Sequence, residues 1–325
     1  MARRVLITGV ANFWGSALAA RLAAEPAVEA IVGVDDRGPP SSVLGTVDLI
    51  RGDLRDPATI DRVRDARPDV VVHNDVRQFA GPGENDRRLH DVNVIGTLHL
   101  LTACAQIPAL RAVIVRGSAA IYGSEPAAPA FLPEELAGTM PLRTRFQRDL
   151  DELERLCADF SRRHPRVTCT VLRLQPVVGA RIDTPVMRLF RLPVVPTVLG
   201  FDPRVQLLHE QDSADAILAA VRRPVVGAVN VAGGGAVSLA RILARMGRLA
   251  LPVAHPFYER VAGALARAGG GRLAPDMTRY LRFGRGVDLG RLTSELEFRA
   301  RFSTIEAVDV VAEDLRRGGP VEVAP

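Results

Sequence analysis

The sequence predicts an α/β fold in which a doubly wound parallel sheet is joined to a smaller, discontinuous lobe. Short β-branched apolar runs alternate with segments of helical periodicity through most of the 325 residues, which is typical of βαβ units. The first such unit contains a glycine-rich turn, and its second strand ends on an acidic residue. A chain of this length, with 47% hydrophobic residues, can bury one large core and a smaller one.

The first βαβ unit carries the most specific pattern. Val5 to Thr8 is a short apolar strand that Gly9 breaks, and Gly15 begins a helix with apolar residues at helical spacing. A second strand at 30–34 ends on Asp35. In a Rossmann unit, the N–H groups at the start of this helix attract a pyrophosphate, and the acid hydrogen-bonds the adenosine ribose. The unit therefore predicts dinucleotide binding.

The alternation of strands and helices continues along the chain. Further strands are expected at 48–52, 69–73, 112–115, 167–174 and 228–234, and helices at 57–67, 86–107, 145–164, 213–222, 238–247 and from 304. Asp56 and Asp212 are the expected N-cap residues of the helices that follow them. The segment 180–204 is broken by prolines, and 252–286 has poor periodicity. The expected domains are 1–179 with 205–235 for the Rossmann sheet, and 180–204 with 236–325 for the substrate lobe and C-terminal helix.

Composition and charge exclude several classes of protein. No apolar run approaches the roughly 20 residues that a membrane-spanning helix needs. All 42 basic residues are scattered arginines, and aromatic residues make up only 5%, which does not support a nucleic-acid-binding surface. The net charge of +5 favours anionic partners, whether nucleotide sugars, acidic lipid or nucleic acid. Three cysteines without metal-ligand spacing predict buried free thiols in the cytoplasm and no metal site.

The glycine turn resembles the TGxxGxxG signature of extended short-chain dehydrogenase/reductases, the NAD-dependent epimerase/dehydratase group that includes UDP-glucose 4-epimerase. Gly9 and Gly15 match its first and third glycines, and Asn12 replaces the second. Asn tolerates a positive φ better than other non-glycine residues, so we expect the turn to persist with an added side chain near the phosphates. Spaced motifs extend the resemblance to about Arg317.

The resemblance implies a set of residues that contact the dinucleotide. They are Gly9, Asn12, Phe13, Trp14, Gly15, Asp35, Asp53, Leu54, Asp75 and Asn93. Asp35 favours the free 2′-hydroxyl of NAD over the phosphate of NADP, although Arg37 nearby is a competing partner for a phosphate. Asp75 stands where the family has a small apolar residue, and its carboxylate is expected to weaken NAD binding by repelling the diphosphate.

The catalytic positions depart from the family pattern. The segment 116–123 resembles the S-S-x-x-x-Y-G block, which implies that Ser118 hydrogen-bonds the reacting oxygen of the substrate. The family's proton-transferring tyrosine and the lysine four residues later are replaced by Phe146 and Leu150. A phenol titrates near 10, and the lysine normally lowers that value. The standard dyad is therefore absent, which leaves Asp75 or a residue of the substrate lobe as the acid or base.

Two functions remain open at this stage. In the first, the chain is an NAD-dependent enzyme on a nucleotide sugar or similar anionic substrate, with arginines on the diphosphate. The arginines at matching positions are Arg204, Arg282 and Arg285. In the second, it is a catalytically silent Rossmann protein that senses a dinucleotide or acts as a partner or scaffold subunit. A homodimer through the helices at 86–107 and 145–164 is implied by the resemblance, and His209 is expected to be structural.

Overall fold

The computed structural model describes residues 3–78, 86–268 and 275–317. The strands are β1 (Arg3–Thr8), β2 (Val28–Asp35), β3 (Asp48–Arg51), β4 (Val70–His73), β5 (Ala112–Ser118), β6 (Thr168–Leu174), β7 (Val177–Val178), β8 (Val194–Val198), β9 (Arg204–Val205), β10 (Leu208–His209), β11 (Gly227–Val231), β12 (Val237–Ser238) and β13 (Leu249–Val253). The helices are α1 (Phe13–Ala23), α2 (Pro57–Asp65), α3 (Asp86–His90), α4 (Gly96–Cys104), α5 (Arg145–Arg163), α6 (Pro185–Arg191), α7 (Glu210–Arg222), α8 (Leu239–Arg245), α9 (His255–Ala268), α10 (Pro275–Phe283), α11 (Gly290–Ser294) and α12 (Thr304–Arg316).

The main sheet has seven parallel strands in the order β11-β6-β5-β4-β1-β2-β3. The connections wind outward in one direction from β1 and in the other from β4, so the order reverses between these two neighbours. The predicted doubly wound Rossmann sheet is therefore confirmed. In such sheets a ligand crevice forms outside the carboxyl ends of the strands at the point of reversal.

Continuous apolar runs in the central strands reflect burial on both faces of the sheet. Along β1, Val5 and Ile7 face one core and Leu6 faces the other, as the period of two in a strand requires. All three side chains are fully buried, and each such burial contributes about 1.5–3 kcal/mol to folding. Helices cover both faces because a parallel sheet leaves neither face to water.

Small two-stranded sheets outside the main sheet pair β7 with β10, β9 with β12 and β8 with β13. The three cysteines, Cys104, Cys157 and Cys169, are buried free thiols, as predicted. Within the described ranges, no helix combines the length and the apolar character that a membrane crossing requires.

Several predicted elements differ in detail from the structure. The helix expected at 86–107 is interrupted by a π-helical turn at Asp91–Ile95 that separates α3 from α4. The N-cap of α7 is His209, whose Nδ1 accepts the N–H of Gln211 at 3.3 Å, so the expected cap at Asp212 is wrong. The Asp212 carboxylate instead accepts the backbone N–H groups of Arg301 and Phe302, both at 3.0 Å. This tertiary contact decides where the helix begins.

The segment without clear periodicity, 252–286, contains the helices α9 and α10. Asp56 is the N-cap of α2, as predicted, and accepts the N–H of Ala58 at 3.1 Å. His209 packs its ring on Phe302 at a centroid distance of 4.5 Å in addition to its capping contact. These contacts give His209 a structural role.

Candidate functional site

A cavity of about 650 Å³ lies at the carboxyl ends of the main sheet, where the strand order reverses. Segments that follow β1, β2, β4, β5 and β6 form one side of it, and residues of α5, α6 and α10 form the rest. Each sheet segment is a loop or helix start that directly follows a buried strand. Segments that are distant in sequence therefore meet at one site, because parallel strands place their carboxyl ends at the same edge of the sheet.

The two glycines of the first turn are required by close contacts. Gly9 has a φ of +66°, and a Cβ there would lie 2.6 Å from the Asn12 amide nitrogen and 3.1 Å from the backbone nitrogen of Asp75. A Cβ on Gly15 would lie 2.2 Å from the carbonyl oxygen of Gly9 and 2.6 Å from Cα of Val10. Neither position accepts a side chain without a backbone shift.

Asn12 does not have the positive φ that was expected for it. Its φ is −80°, and it is the N-cap of α1, because Gly9 already makes the left-handed turn. The side-chain oxygen of Asn12 accepts the N–H of Gly15 at 3.0 Å, and its amide lies 3.3 Å from the carbonyl oxygen of Asn74. The N–H groups of Phe13 and Trp14, in the first turn of α1, have no acceptor within the helix and are suited to an anion.

The acid at the end of β2, Asp35, is hydrogen-bonded to the loops that follow β1 and β2. Asp35 is buried and accepts the backbone N–H groups of Ala11 at 2.9 Å and Arg37 at 3.0 Å. Burial raises the pKa of the Asp35 carboxyl, and the two N–H groups oppose this shift. The guanidinium of Arg37 lies 3.6 Å from Asp35 and 3.7 Å from Asp36. Asp36 and Arg37 line the cavity at this end.

The loop after β3 holds the next two residues that the resemblance implied. Arg55 pairs with the Asp53 carboxylate at 2.5 Å, and this hydrogen bond lowers the pKa of Asp53. Leu54 is buried in one of the two cores. In the described part of the chain, neither Asp53 nor Leu54 belongs to the cavity lining.

Asp75 lines the cavity, and an arginine that the sequence analysis did not single out compensates its charge. The Arg77 guanidinium lies 2.8 Å from the Asp75 carboxylate. Asn93, in the π-helical turn, holds the backbone of Arg77 on both sides, since it accepts its N–H and donates to its carbonyl oxygen, each at 2.8 Å. Asn93 therefore acts on the cavity through Arg77. The Asp75 carboxylate is therefore paired with a counter-charge within the cavity.

A second unanticipated arginine, Arg116, reaches the same place from the end of β5. Its guanidinium stacks over the Trp14 ring at 4.1 Å and donates to the carbonyl oxygens of Asn74, at 2.9 Å, and Val76. Burial lowers the pKa of Arg116 to about 10, and the negative charge of Asp75 opposes this shift. Arg116 is therefore cationic at neutral pH. The sequence did offer a signal for Arg116, because a charged residue stands at the end of a predicted strand, directly before the block that contains Ser118.

A buried network of side-chain hydrogen bonds fixes the backbone just before Asp75. Thr97 donates its hydroxyl hydrogen to the carbonyl oxygen of Asn93 at 2.5 Å, so it accepts from Nε2 of His73 at 2.9 Å. The other ring nitrogen of His73 then accepts from the hydroxyl of Thr8 at 2.7 Å. Burial lowers the pKa of His73 to about 4, which keeps the ring neutral. The Thr8 oxygen in turn accepts the N–H of Asn74 at 3.2 Å.

Phe146 and Leu150, the residues that the resemblance aligned with the Tyr and Lys dyad, have different surroundings. Phe146 lines the cavity together with Ser118, whose hydroxyl oxygen accepts the N–H of Ala120 at 3.1 Å. Leu150 is 1% exposed and packs in the core. In the described ranges, no tyrosine lines the cavity. Tyr122 is buried and bonded to Asn230 at 2.8 Å, and burial raises its pKa to about 12, which fits a structural role.

The three arginines implied for a substrate diphosphate do not all line the cavity. Arg285 is buried and lines the cavity, where it donates to the carbonyl oxygen of Gly123 at 3.0 Å. Arg204 is exposed in β9. Arg282 stacks against Phe201 at 4.6 Å and also against Phe283 at 4.8 Å. Of the three, Arg285 is therefore the one positioned on the cavity.

Comparison with known proteins identifies a family and a fold. The model of the NAD dependent epimerase/dehydratase family matches residues 5–232. An uncharacterised protein of Mycobacterium tuberculosis is 32% identical over 309 residues, which is 94% of this chain and 82% of that protein. A second uncharacterised protein of the same organism is 28% identical over 262 residues, 79% of this chain and 25% of that protein.

Solved structures with the same fold cover almost the whole chain. MoeE5 in complex with UDP-glucuronic acid and NAD is 24% identical with a TM-score of 0.73, over 97% of this chain and 99% of that chain. The UDP-glucose 4-epimerase of Thermotoga maritima with UDP-glucose is 18% identical with the same TM-score and coverage. The UDP-glucuronic acid 4-epimerase of Bacillus cereus in complex with NAD is 18% identical with a TM-score of 0.71.

Proposed function

This chain belongs to the NAD dependent epimerase/dehydratase family, and we propose that it is an NAD-dependent enzyme acting on a nucleotide-sugar-type anionic substrate. The observation that carries the proposal is the single cavity that runs from the glycine turn and the start of α1 to α6 and α10. The start of α1 offers helix N–H groups to a pyrophosphate, and Arg188 and Arg285 line the same cavity. Proteins of the same fold bind NAD and UDP-sugars.

The residues around the glycine turn fit a dinucleotide. Gly9 and Gly15 leave room for close backbone approach, Phe13 and Trp14 present N–H groups at the positive end of α1, and Asp35 ends the second strand. A bound nicotinamide dinucleotide supplies an acceptor or donor of hydride. The protein would hold its diphosphate with these N–H groups beside the cationic Arg77 and Arg116.

The same geometry supports a preference for NAD over NADP. The 2′-phosphate of NADP would face the Asp35 carboxylate, and the Arg37 guanidinium is already shared between Asp35 and Asp36. We expect NAD to bind at least tenfold more tightly, which is about 1.4 kcal/mol. Titration calorimetry of the native chain with NAD and with NADP measures this ratio. The Arg37→Ala variant should keep it, and equal or tighter NADP binding by the native chain would overturn the proposal for the cofactor.

Asp75 is expected to weaken NAD binding without abolishing it. An unpaired carboxylate about 4 Å from a phosphate charge costs about 4 kcal/mol at an effective dielectric near 20, but Arg77 pairs with Asp75 and reduces that cost. Removal of the carboxylate takes away the negative charge that repels the diphosphate, while Arg116 stays cationic beside Trp14 in the first turn of α1. We therefore expect Asp75→Ala to bind NAD about tenfold more tightly than the native chain.

Calorimetry of Asp75→Ala tests this expectation, with Asp61→Ala as the matched control. Asp61 is a surface residue on α2 that pairs with Arg64 at 2.9 Å, so its removal should leave NAD affinity unchanged. Unchanged or weaker affinity in Asp75→Ala would show that the carboxylate does not act on the diphosphate.

The second candidate function, a silent dinucleotide-binding subunit or sensor, is favoured by one observation. Phe146, which the family resemblance aligns with the proton-transferring tyrosine, lines the cavity, and its ring has no proton to transfer. The two functions differ in one measurement, which is hydride transfer to NAD by the purified chain in the presence of UDP-sugars. Dinucleotide binding without any transfer would favour the silent function.

A further inference from the structure

A buried carboxyl group in the substrate half of the cavity has no role in the preceding account. Asp276, in the first turn of α10, lines the cavity with Ser118 and Phe146 and is 8% exposed. Its two carboxylate oxygens lie 3.0 and 3.3 Å from the amide nitrogen of Gln78, which also lines the cavity. The chain therefore brings a carboxyl group from residue 276 to the loop after β4, across 198 positions of sequence.

The partner of Asp276 distinguishes it from the other cavity carboxylates. Asp75 is paired with Arg77 at 2.8 Å, Asp183 is paired with Arg188 at 2.5 Å, and Asp36 is exposed and lies 3.7 Å from Arg37. Within the described ranges Asp276 has no ion pair, and its hydrogen-bond donor is a neutral amide. An ion pair holds a carboxylate in its charged form, whereas an amide permits both protonation states. Asp276 is thus the cavity carboxyl best suited to gain and lose a proton.

The electrostatic surroundings of Asp276 agree with this role. Burial raises the pKa of Asp276, and the positive charge of Arg285 opposes the shift. Arg285 lies on the same cavity, where its Nε donates to the side-chain oxygen of Gln175 at 3.4 Å. Gln175 directly follows Leu174, and Leu174 is the strand partner of Ser118. Ser118 at the end of β5, Gln175 directly after β6 and Asp276 in α10 therefore line the same cavity as the apolar Phe146.

Resting on the proposed function, we propose that Asp276 is the proton-transferring residue of this cavity and acts directly on a carbinol group of the substrate. In the oxidative direction the substrate O–H bond breaks and its proton bonds to the Asp276 carboxylate. The O–H electron pair forms the carbonyl double bond, while the hydrogen on carbon leaves with its electron pair as hydride to an oxidised nicotinamide dinucleotide. In the reverse direction the Asp276 carboxyl returns its proton to the oxygen as hydride adds to the carbonyl carbon.

The test compares the native chain with Asp276→Asn, Asp276→Glu and the surface control Asp309→Asn. Asp309 is half-exposed and pairs with Arg245 on α8. NAD affinity is measured by calorimetry, and hydride transfer by the absorbance of reduced nicotinamide with UDP-glucose and UDP-glucuronic acid as probes. The carbonyl stretching band of a protonated carboxyl group is followed by infrared spectroscopy against pH in the ligand-free chain.

We expect Asp276→Asn to lower hydride transfer by about 10²–10⁴-fold, the usual contribution of a general acid or base, with NAD affinity within about twofold of native. Asp276→Glu should restore part of the rate with a shifted pH profile, and Asp309→Asn should match the native chain. In the infrared spectrum, Asp276→Asn should lose a carboxyl band that titrates above the ordinary range of aspartate.

The outcomes separate this inference from the proposed function. If the native chain transfers hydride and Asp276→Asn does so at a similar rate, the role of Asp276 is wrong and the proposed function stands. If the native chain binds NAD without transferring hydride to it, the role of Asp276 is also wrong and the silent function is favoured. If no NAD binds, the proposed function fails, and a carboxyl band that titrates in the ordinary range independently rejects Asp276 as the proton-transferring group.

Discussion

Replacing Arg173 by Met is expected to lower the free energy of unfolding by about 3–5 kcal/mol, because it leaves Glu154 charged and nearly buried without a partner. Arg173, in β6, donates to both carboxylate oxygens of Glu154 in α5, at 2.9 and 2.6 Å. It also donates to the hydroxyl of Tyr122 at 2.6 Å and to the carbonyl oxygen of Glu134 at 2.8 Å. Four hydrogen bonds are therefore lost at once, and equilibrium unfolding in urea measures the cost.

A surface ion pair on the same helix provides the matched control. Arg162 pairs with Asp159 in α5, and their side chains are 78% and 46% exposed, so Arg162→Met should cost less than about 1 kcal/mol. Combining Arg173→Met with Glu154→Met should recover part of the loss, because the uncompensated charge is removed as well. A loss in Arg173→Met no larger than in the surface variant would show that the buried pair does not hold β6 to α5.

Gly15→Ala is expected to destabilise the chain by about 3 kcal/mol and to abolish dinucleotide binding. The added methyl group would lie 2.2 Å from the carbonyl oxygen of Gly9 and 2.6 Å from Cα of Val10. Both of these neighbouring atoms belong to the backbone, so the movement of a flexible side chain cannot relieve the contacts. Helix α1 must therefore move away from the turn, which displaces the N–H groups of Phe13 and Trp14. Urea unfolding measures the stability, and NAD calorimetry measures the binding.

Gly263→Ala is the control for the same chemical change in a helix. A Cβ on Gly263, in α9, meets no atom within 4 Å, so the substitution should leave stability unchanged or raise it by about 0.5–1 kcal/mol. NAD affinity should equal that of the native chain. If Gly15→Ala unfolds at the same urea concentration as Gly263→Ala, the close contact at Gly9 is not rigid and the turn has room for a side chain.

The polar lining of the cavity includes residues that the sequence analysis did not single out. Arg77, Arg116 and Asp276 line it beside the apolar Phe146. The two arginines compensate the charge that Asp75 introduces, so the substitutions on this wall act together. A departure from a family motif at one position is therefore best judged with the residues that surround it in space.

The sequence by itself determined the sheet and the location of the site. Strand runs, the Gly9 turn, the helix that contains Gly15 and the acid at Asp35 are local patterns, because neighbouring residues set the period of a strand or helix and the geometry of a turn. The carboxyl-end loops of a doubly wound sheet must then meet at the reversal of strand order. The replacement of the Tyr and Lys dyad by Phe146 and Leu150 stays a prediction that rests on the family resemblance.

Only the tertiary structure decided which side chains meet in the cavity. Arg77 reaches Asp75 because Asn93 holds its backbone. Arg116 in β5 stacks on Trp14 in the helix that follows β1, and Gln78 binds a carboxyl group 198 positions away. No local pattern encodes these contacts, since they depend on how the loops and α10 pack over the sheet. The N-cap of α7 shows the same limit. The Asp212 carboxylate, which the sequence analysis expected to cap this helix, instead accepts the backbone N–H groups of residues 301 and 302.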